Sequence, residues 1–240
     1  MTMDKKISLS CFFPCFNDAG SIASMVVIMD KVARQVSDDY EIIVVDDCST
    51  DNSRVVLEEL CKKYTALRLI YHERNEGYGG ALRSGIYSSK KEFIFYTDGD
   101  FQYDVTELNN LISCLGPGVD IVNGYKLSRS DSLSRKVIGG IYQYTMKLMF
   151  GFKIRDVDCD FRLMRRSIFD KIKLRYNSGV ICVEMIKKIQ NAGFSFAETG
   201  VSHYHRVYGK SQFFNIVRIY QVGRDILKLW WTLNFKERQA

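Results

Sequence analysis

Apolar residues along the first hundred positions fall in short runs that alternate with stretches of helical spacing. Ile7–Phe13 is an apolar run ended by Pro14, and Ser21–Val36 then sets Ile22, Met25, Val26, Met29, Val32, Ala33 and Val36 on helical steps. Glu41–Val45 is a β-branched run that stops at Asp46-Asp47, and Asn52 or Ser53 caps a helix carrying Val55, Val56, Leu57, Leu60 and Cys61. Leu67–Tyr71, the glycine-bearing Asn75–Gly80 and a helix over Ala81–Ser88 repeat the unit, and Phe93–Thr97 ends at Asp98-Gly99-Asp100. Such alternation predicts βαβ units and a mainly parallel α/β sheet with helices on both faces. Ligands of these sheets bind beyond the carboxyl ends of the strands. Four loops occupy that position, namely Pro14–Asp18, Asp46–Asp51, Asn75–Gly80 and Asp98–Asp104, and three of them carry acidic residues at the strand exit.

Beyond residue 120 the pattern loosens. Asp120–Tyr125 predicts a strand, Leu133–Phe150 a long helix, Ile181–Asn191 a helix and Phe194–Val201 a strand, while Asp156–Arg166 reads as a polar, charged segment and His203–Gln212 as a basic, aromatic loop. From Phe213 to Trp231 apolar residues recur mostly at helical steps with Arg218, Arg224 and Lys228 between them. The expected organisation is one domain over residues 1–212 and a basic amphipathic tail over 213–240.

Composition narrows the classes. The chain has 240 residues, of which 46% are hydrophobic and 26% charged, with only 17 Gly and 2 Pro, which excludes collagen-like and low-complexity chains. The net charge of +6 is concentrated at the end, where residues 202–240 hold seven Lys or Arg against Asp225 and Glu237. A basic end points to a polyanionic partner. No recognition motif or stacking platform for nucleic acid accompanies it, so a nucleotide phosphate or an anionic membrane surface is the expected partner. The seven cysteines lack any C-x-x-C pair and read as reduced, mostly buried thiols of a cytoplasmic protein. No apolar run reaches the roughly 18 residues needed to span a bilayer.

Asp98-Gly99-Asp100-Phe101-Gln102 carries the strongest local chemistry. Two carboxylates at i and i+2 supply hard oxygen ligands for Mg²⁺ or Mn²⁺, a diphosphate can fill further positions, and Gln102 adds a neutral oxygen. A polar turn capping a helix over Val105–Leu115 is the plainer reading. Asp47, presented at a strand end, suits a base N–H or a ribose hydroxyl, or else an Asx turn. Asn75–Gly80 allows close backbone approach to a ligand but lacks G-x-G-x-x-G spacing and a Walker lysine, which disfavours nicotinamide and P-loop enzymes. His203 and His205 lack a third ligand at zinc-like spacing.

In order and spacing, Pro14-Cys15-Phe16-Asn17-Asp18, Val45–Asp51, Asn75–Arg83 and Thr97–Gln102 resemble the inverting family 2 glycosyltransferases of GT-A fold. Asp120–Lys126, Asp156–Arg162 and Arg206–Ser211 continue the resemblance toward the polyprenyl-phosphate sugar transferases, the group that contains dolichol-phosphate mannosyltransferase. The resemblance implies that Pro14, Phe16, Asp18 and Asp47, with the loop residues Asn75 and Gly77, bind a UDP- or GDP-hexose. Asp98, Asp100 and Gln102 would hold the metal, with Asp100 also catalytic. Lys126, Arg135 and Arg206 would stabilise phosphate charge in catalysis; the family's later Lys falls at Gln212, and Lys210, an extra cation two residues earlier, is the candidate donor contact there. Lys126 stands where that branch usually has Arg, and Asp18 where the family usually has Glu.

The implied reaction moves a hexose to a polyprenyl phosphate at the cytosolic face of a membrane, with the tail helix lying at the interface. Displacing a nucleoside diphosphate builds negative charge that a cation and Lys or Arg offset. An acceptor phosphate is already an oxyanion at pH 7, its second pKa lying near about 6. A saccharide or protein hydroxyl acceptor would need a general base instead, for which Asp158 and Asp160 are candidates. An aspartyl-phosphate phosphatase and a catalytically silent nucleotide-sugar-binding subunit are the other readings, and closing the core or contacting a second copy are the alternatives for the tail helix.

Overall fold

The computed structural model describes residues 6–127, 133–205 and 216–236. Strands β1 (Ser8–Cys15), β2 (Asp39–Asp46), β3 (Leu67–Tyr71) and β4 (Phe93–Thr97) are joined by helices α1 (Ile22–Val36), α2 (Ser53–Cys61) and α3 (Tyr78–Ser88). A helical turn at Val105–Glu107 and α4 (Leu108–Ser113) lead to β5 (Ile121–Lys126) and α5 (Leu133–Phe150). Strand β6 (Phe161–Arg165), α6 (Ile168–Lys171), α7 (Val180–Asn191), β7 (Phe196–Val201) and α8 (Ile216–Trp231) follow, and a π-helical turn over Thr232–Lys236 closes the described chain.

The sheet has seven strands in the order β3-β2-β1-β4-β6-β5-β7. Alternate side chains of each strand enter different layers. Leu9, Cys11, Phe13, Ile42 and Val44 pack with α1 and α4, whereas Phe12, Ile43 and Val45 pack with α3, α7 and the inner side of α8. Burial on both faces is why these strands are nearly continuous apolar runs. The chain leaves β1 in one direction to build β2 and β3 and returns to place β4 on its other side, all four parallel. That reversal opens a crevice at the carboxyl ends of β1 and β4.

Three predicted elements change. The polar segment Asp156–Arg166 hides β6, which lies antiparallel between β4 and β5. Its charges obscured it because Arg162 is fully buried inside the sheet rather than on its surface. Helix α3 begins at Tyr78, so half of the glycine loop is helical, and the helix predicted over Val105–Leu115 is shorter and broken.

The tail helix α8 packs on the domain. Ile226, Leu229 and Leu233 are buried, and Trp230 donates its indole N–H to the Met149 carbonyl at 2.9 Å. Its outer side keeps Tyr220, Leu227 and Trp231 exposed, so the tryptophan pair is divided between core and surface. Among the described residues no helix is long and apolar enough to cross a membrane.

Candidate active site

The crevice is built first from main-chain hydrogen bonds. Asn17, in the left-handed region at φ 59°, accepts from the Thr50 N–H at 2.8 Å through its side-chain oxygen, while its own N–H donates to Ser49 Oγ at 2.9 Å. The Asp18 N–H donates to Ser53 Oγ, and Asp51 accepts from the Ala19 N–H. Thus the loops after β1 and β2 are sewn together. Cys48 and Phe101 also adopt positive φ, so the exits of β1, β2 and β4 each hold one non-glycine residue in a strained conformation.

Asp46 and Asp47 have different tasks. Asp46 is fully buried and pairs with Arg54 at 2.6 Å, which ties β2 to α2. The Asp47 carboxylate accepts from the Glu76 and Gly77 N–H groups at 2.8 and 2.9 Å and meets His72 Nδ1 at 2.7 Å, while Asn75 donates to the Asp47 carbonyl. Asp47, Asn75 and Gly77 therefore form one staple between β2 and α3. Gly77 has φ 80°, and a Cβ there would lie 2.7 Å from the Asn177 carbonyl oxygen. The close approach that this loop permits is made to the chain's own 176–177 backbone, which Arg83 also grips through the carbonyls of Arg175 and Tyr176.

Asp98, Gly99 and Asp100 turn against β1. A Cβ on Gly99 would stand 2.8 Å from the Pro14 carbonyl oxygen, so the small residue between the carboxylates is required by packing as well as by spacing. Pro14 is buried against this turn, Phe16 and Asp18 are half-buried in the loop that follows it, and Ser21 beyond that loop donates to the Gly99 carbonyl at 2.9 Å. Asp100 is buried and accepts from the Gln102 N–H at 3.1 Å. Asp98 accepts from the Tyr78 hydroxyl at 2.8 Å. The Gln102 amide nitrogen donates to the Tyr204 carbonyl and the Tyr204 N–H to the Gln102 carbonyl, while Tyr103 pairs with His203. The segment after β7 is thereby pinned at the acidic turn immediately before Arg206.

A second cluster lies across Tyr78 and Tyr96. Asp156 and Asp158 both accept from the Gln143 amide, at 2.7 and 3.2 Å. Lys126 donates to the Asp158 carbonyl at 2.9 Å and stands 3.8 Å from the Asp156 carboxylate, so it belongs to this cluster. Asp160 accepts from Tyr96 at 3.1 Å and lies near Arg162 and Cys182. Arg162 donates to Asn123, Tyr96 and the Val157 carbonyl, which satisfies its buried guanidinium. Burial, reinforced by Asp156 and Asp160 and opposed by Lys126, pushes the Asp158 carboxyl up to about 7. Burial, then Asp160 and Asp98, raises the Tyr78 hydroxyl well above its ordinary range, keeping it a donor.

Asp98, Asp100 and Gln102 are thus gathered on one turn packed against Pro14, with Phe16 and Asp18 in the loop that continues from it. Arg135 lies in α5, its side chain outside the described residues, as are Arg206 and Lys210. The residues missed from the sequence are Tyr78, Tyr96 and Gln143, which meet acidic partners brought from distant elements, and Arg162, which is satisfied by Asn123 of β5 and Tyr96 of β4. Only the density of aspartates at 156–160 signalled that cationic or amide partners had to be near.

The profile of Glycosyl transferase family 2 matches residues 10–173. The chain belongs to this family. A dodecaprenyl-phosphate galacturonate synthase of Rhizobium johnstonii is 27% identical over 98% of this chain and 70% of its own length. An undecaprenyl-phosphate 4-deoxy-4-formamido-L-arabinose transferase of Proteus mirabilis is 27% identical over 94% of this chain and 68% of its own. Among solved structures, the glucosyl-3-phosphoglycerate synthase of Mycobacterium tuberculosis in complex with Mn²⁺ and UDP-glucose superposes with a TM-score of 0.70 at 13% identity, covering 94% of this chain and 78% of that one. That likeness is one of fold, the GT-A arrangement.

Proposed function

We propose that this family 2 glycosyltransferase moves a hexose from a nucleoside-diphosphate sugar, UDP- or GDP-linked, to a polyprenyl phosphate, with inversion at the sugar carbon. The observation that carries the reading is the pairing of Asp98 and Asp100 at the sheet's reversal point with a second charged cluster across Tyr78. Two similar proteins named for undecaprenyl- and dodecaprenyl-phosphate chemistry support the choice of acceptor.

The donor half divides its work by residue. Pro14, Phe16 and Asp18 form the wall of the nucleotide pocket, and the Asp47 staple fixes the Asn75–Gly77 loop as its floor. Asp98, Asp100 and the Gln102 amide oxygen are the groups that would hold Mg²⁺ or Mn²⁺. The donor set fits: Asp98, held by Tyr78, and buried Asp100 supply two hard carboxylates from one turn, and Mg²⁺-type sites use one or two carboxylates plus substrate phosphates. The cation, when bound, offsets charge developing on the leaving diphosphate. Tyr78 keeps Asp98 oriented toward the crevice. Arg206 and Lys210 follow the pinned Tyr204 and His205 in sequence and supply cations for phosphate, and Arg135 is assigned the same role from α5.

The displacement forms the bond from an acceptor oxygen to the sugar carbon and breaks the bond to the diphosphate. A phosphate acceptor arrives without a proton to lose. The hydroxyl-acceptor reading draws support from Asp158, whose carboxyl titrates near neutrality and suits a general base. Labelled donor offered separately to isolated polyprenyl phosphate and to oligosaccharide decides. Label in the organic phase is expected, and label confined to water-soluble product overturns the lipid acceptor. The exposed Ile141, Tyr144 and Leu148 of α5, with Leu227 and Trp231 of α8, are the proposed peripheral contact with the cytosolic membrane face.

A further inference from the structure

A second concave site lies away from the crevice. Strand β6 runs against β4, so Phe161 stands beside Thr97 and Arg165 beside Phe93. Helix α6 therefore emerges at the end of the sheet opposite Asp98. There α6, the following segment, the last turn of α7 and the turn after α8 border an open hollow of about 670 Å³. Its lining brings together Lys171, Lys173, Arg175, Lys187 and Lys188, with Asp170 as the one carboxylate among the described lining residues. Asp170 is itself 3.5 Å from Arg166.

Helix electrostatics accounts for part of this charge, since Lys187 and Lys188 fall near the C-terminus of α7 where cations are favoured. Lys173 and Arg175 have no such reason. The framework is ordered by its own contacts: Lys188 donates to Glu184 and to the Lys173 carbonyl, and Lys171 lies over the Phe194 ring at 5.3 Å. Like charges held in one concavity repel each other and focus a positive potential there, which an anion relieves.

The helix end that lines the hollow states what kind of anion. Leu233 and Asn234 line it, and their chain neighbours Trp231 and Phe235 are exposed with ring centroids 4.5 Å apart. A cationic hollow whose bordering helix end also carries paired exposed aromatic rings matches a phosphate head attached to an apolar body, because such rings favour the boundary between headgroups and acyl chains.

We propose that this cavity is a headgroup site for anionic phospholipid, which anchors the far end of α8 on a negatively charged membrane surface. The site is separate from acceptor and donor binding. It rests on the lipid-acceptor reading only in taking a membrane as the partner.

The test is flotation of the full chain with vesicles of phosphatidylcholine alone and of phosphatidylcholine with one third phosphatidylglycerol, at low salt. Binding to the anionic vesicles is expected to exceed the neutral ones by at least about tenfold, and Lys171→Glu with Lys173→Glu to remove that preference. The milder Lys171→Gln with Lys173→Gln is expected to lower it about fivefold, with unchanged circular dichroism and unchanged turnover on a short-chain, water-soluble polyprenyl phosphate. Equal binding to both vesicles, or variants that bind as the parent does, overturns the proposal. So does full displacement by millimolar inorganic phosphate, which would mark a small-anion site. Absence of transfer to the short-chain acceptor would instead count against the proposed function and leave the vesicle result to be read separately.

Discussion

The two halves of the site are held in different ways. In the donor half, loops that leave β1, β2 and β3 are joined by hydrogen bonds in which backbone N–H groups of residues 17, 18, 50, 76 and 77 meet short polar side chains. In the other half, Lys126, Gln143, Asp156, Asp158, Asp160 and Arg162 come from β5, α5, the strap before β6 and β6 itself, and their side chains meet one another and the side chains of Asn123 and Tyr96. The first arrangement fixes shape and leaves carboxylates facing the crevice. The second stores buried charge, whose removal exposes partners to an uncompensated environment.

The sharpest way to break the second half is Arg162→Leu. It strands Asp160, Asn123 and the Val157 carbonyl, and a loss of about 3–5 kcal/mol in urea unfolding is expected. Arg54→Ala in the first half removes a half-exposed arginine from Asp46, a buried carboxylate that keeps the Ser49 N–H, and a smaller loss than that of Arg162→Leu is expected in the same assay. Equal losses would erase the distinction. Asp100→Ala is expected to lower turnover by about a hundred- to a thousandfold while leaving the unfolding free energy within about 1 kcal/mol of the parent, checked by donor-dependent product formation and urea unfolding followed by circular dichroism.

Asp158 sharpens the comparison through pH. Its folded carboxyl titrates near 7 against an ordinary value of about 3.9, so the folded state holds the proton more tightly. That contribution to stability is fully present below about pH 4 and is lost as pH rises through 7. Asp158→Asn is therefore expected to stabilise the protein by about 2 kcal/mol at pH 8 and to have little effect at pH 4, measured by thermal unfolding across pH. If the variant also loses transfer to a hydroxyl acceptor but not to a phosphate, the base reading gains. Tyr78→Phe has the smallest expected effect. It removes one hydrogen bond to Asp98, and about a fivefold rise in the divalent-cation concentration needed for half-maximal turnover is expected, with stability nearly unchanged.

Legibility in the sequence followed the same division. The acidic turn at Asp98–Asp100 and the loops at Pro14–Asp18 and Asp46–Asp51 stood at strand ends because apolar runs stopped there, and local pattern was enough to place them. Asp47 was legible as a carboxylate at a strand end, but its engagement with the Glu76 and Gly77 N–H groups depends on β2 lying beside β3. Strand β6 was missed since Phe161-Arg162-Leu163-Met164-Arg165 does not alternate cleanly, and only its neighbours make a buried arginine tolerable. The tail helix was legible as amphipathic, whereas its division into a packed side and an exposed side required α5 and α7.

The order of apolar runs, the residues that interrupt them and the family motifs were properties of the chain itself, because period and spacing are local and survive without knowledge of partners. What Tyr78, Gln143, Arg162 and the lysines around α6 and α7 do was decided in three dimensions. A charge or hydroxyl acquires its role from the groups that replace water around it, and those groups arrive from positions far away along the sequence.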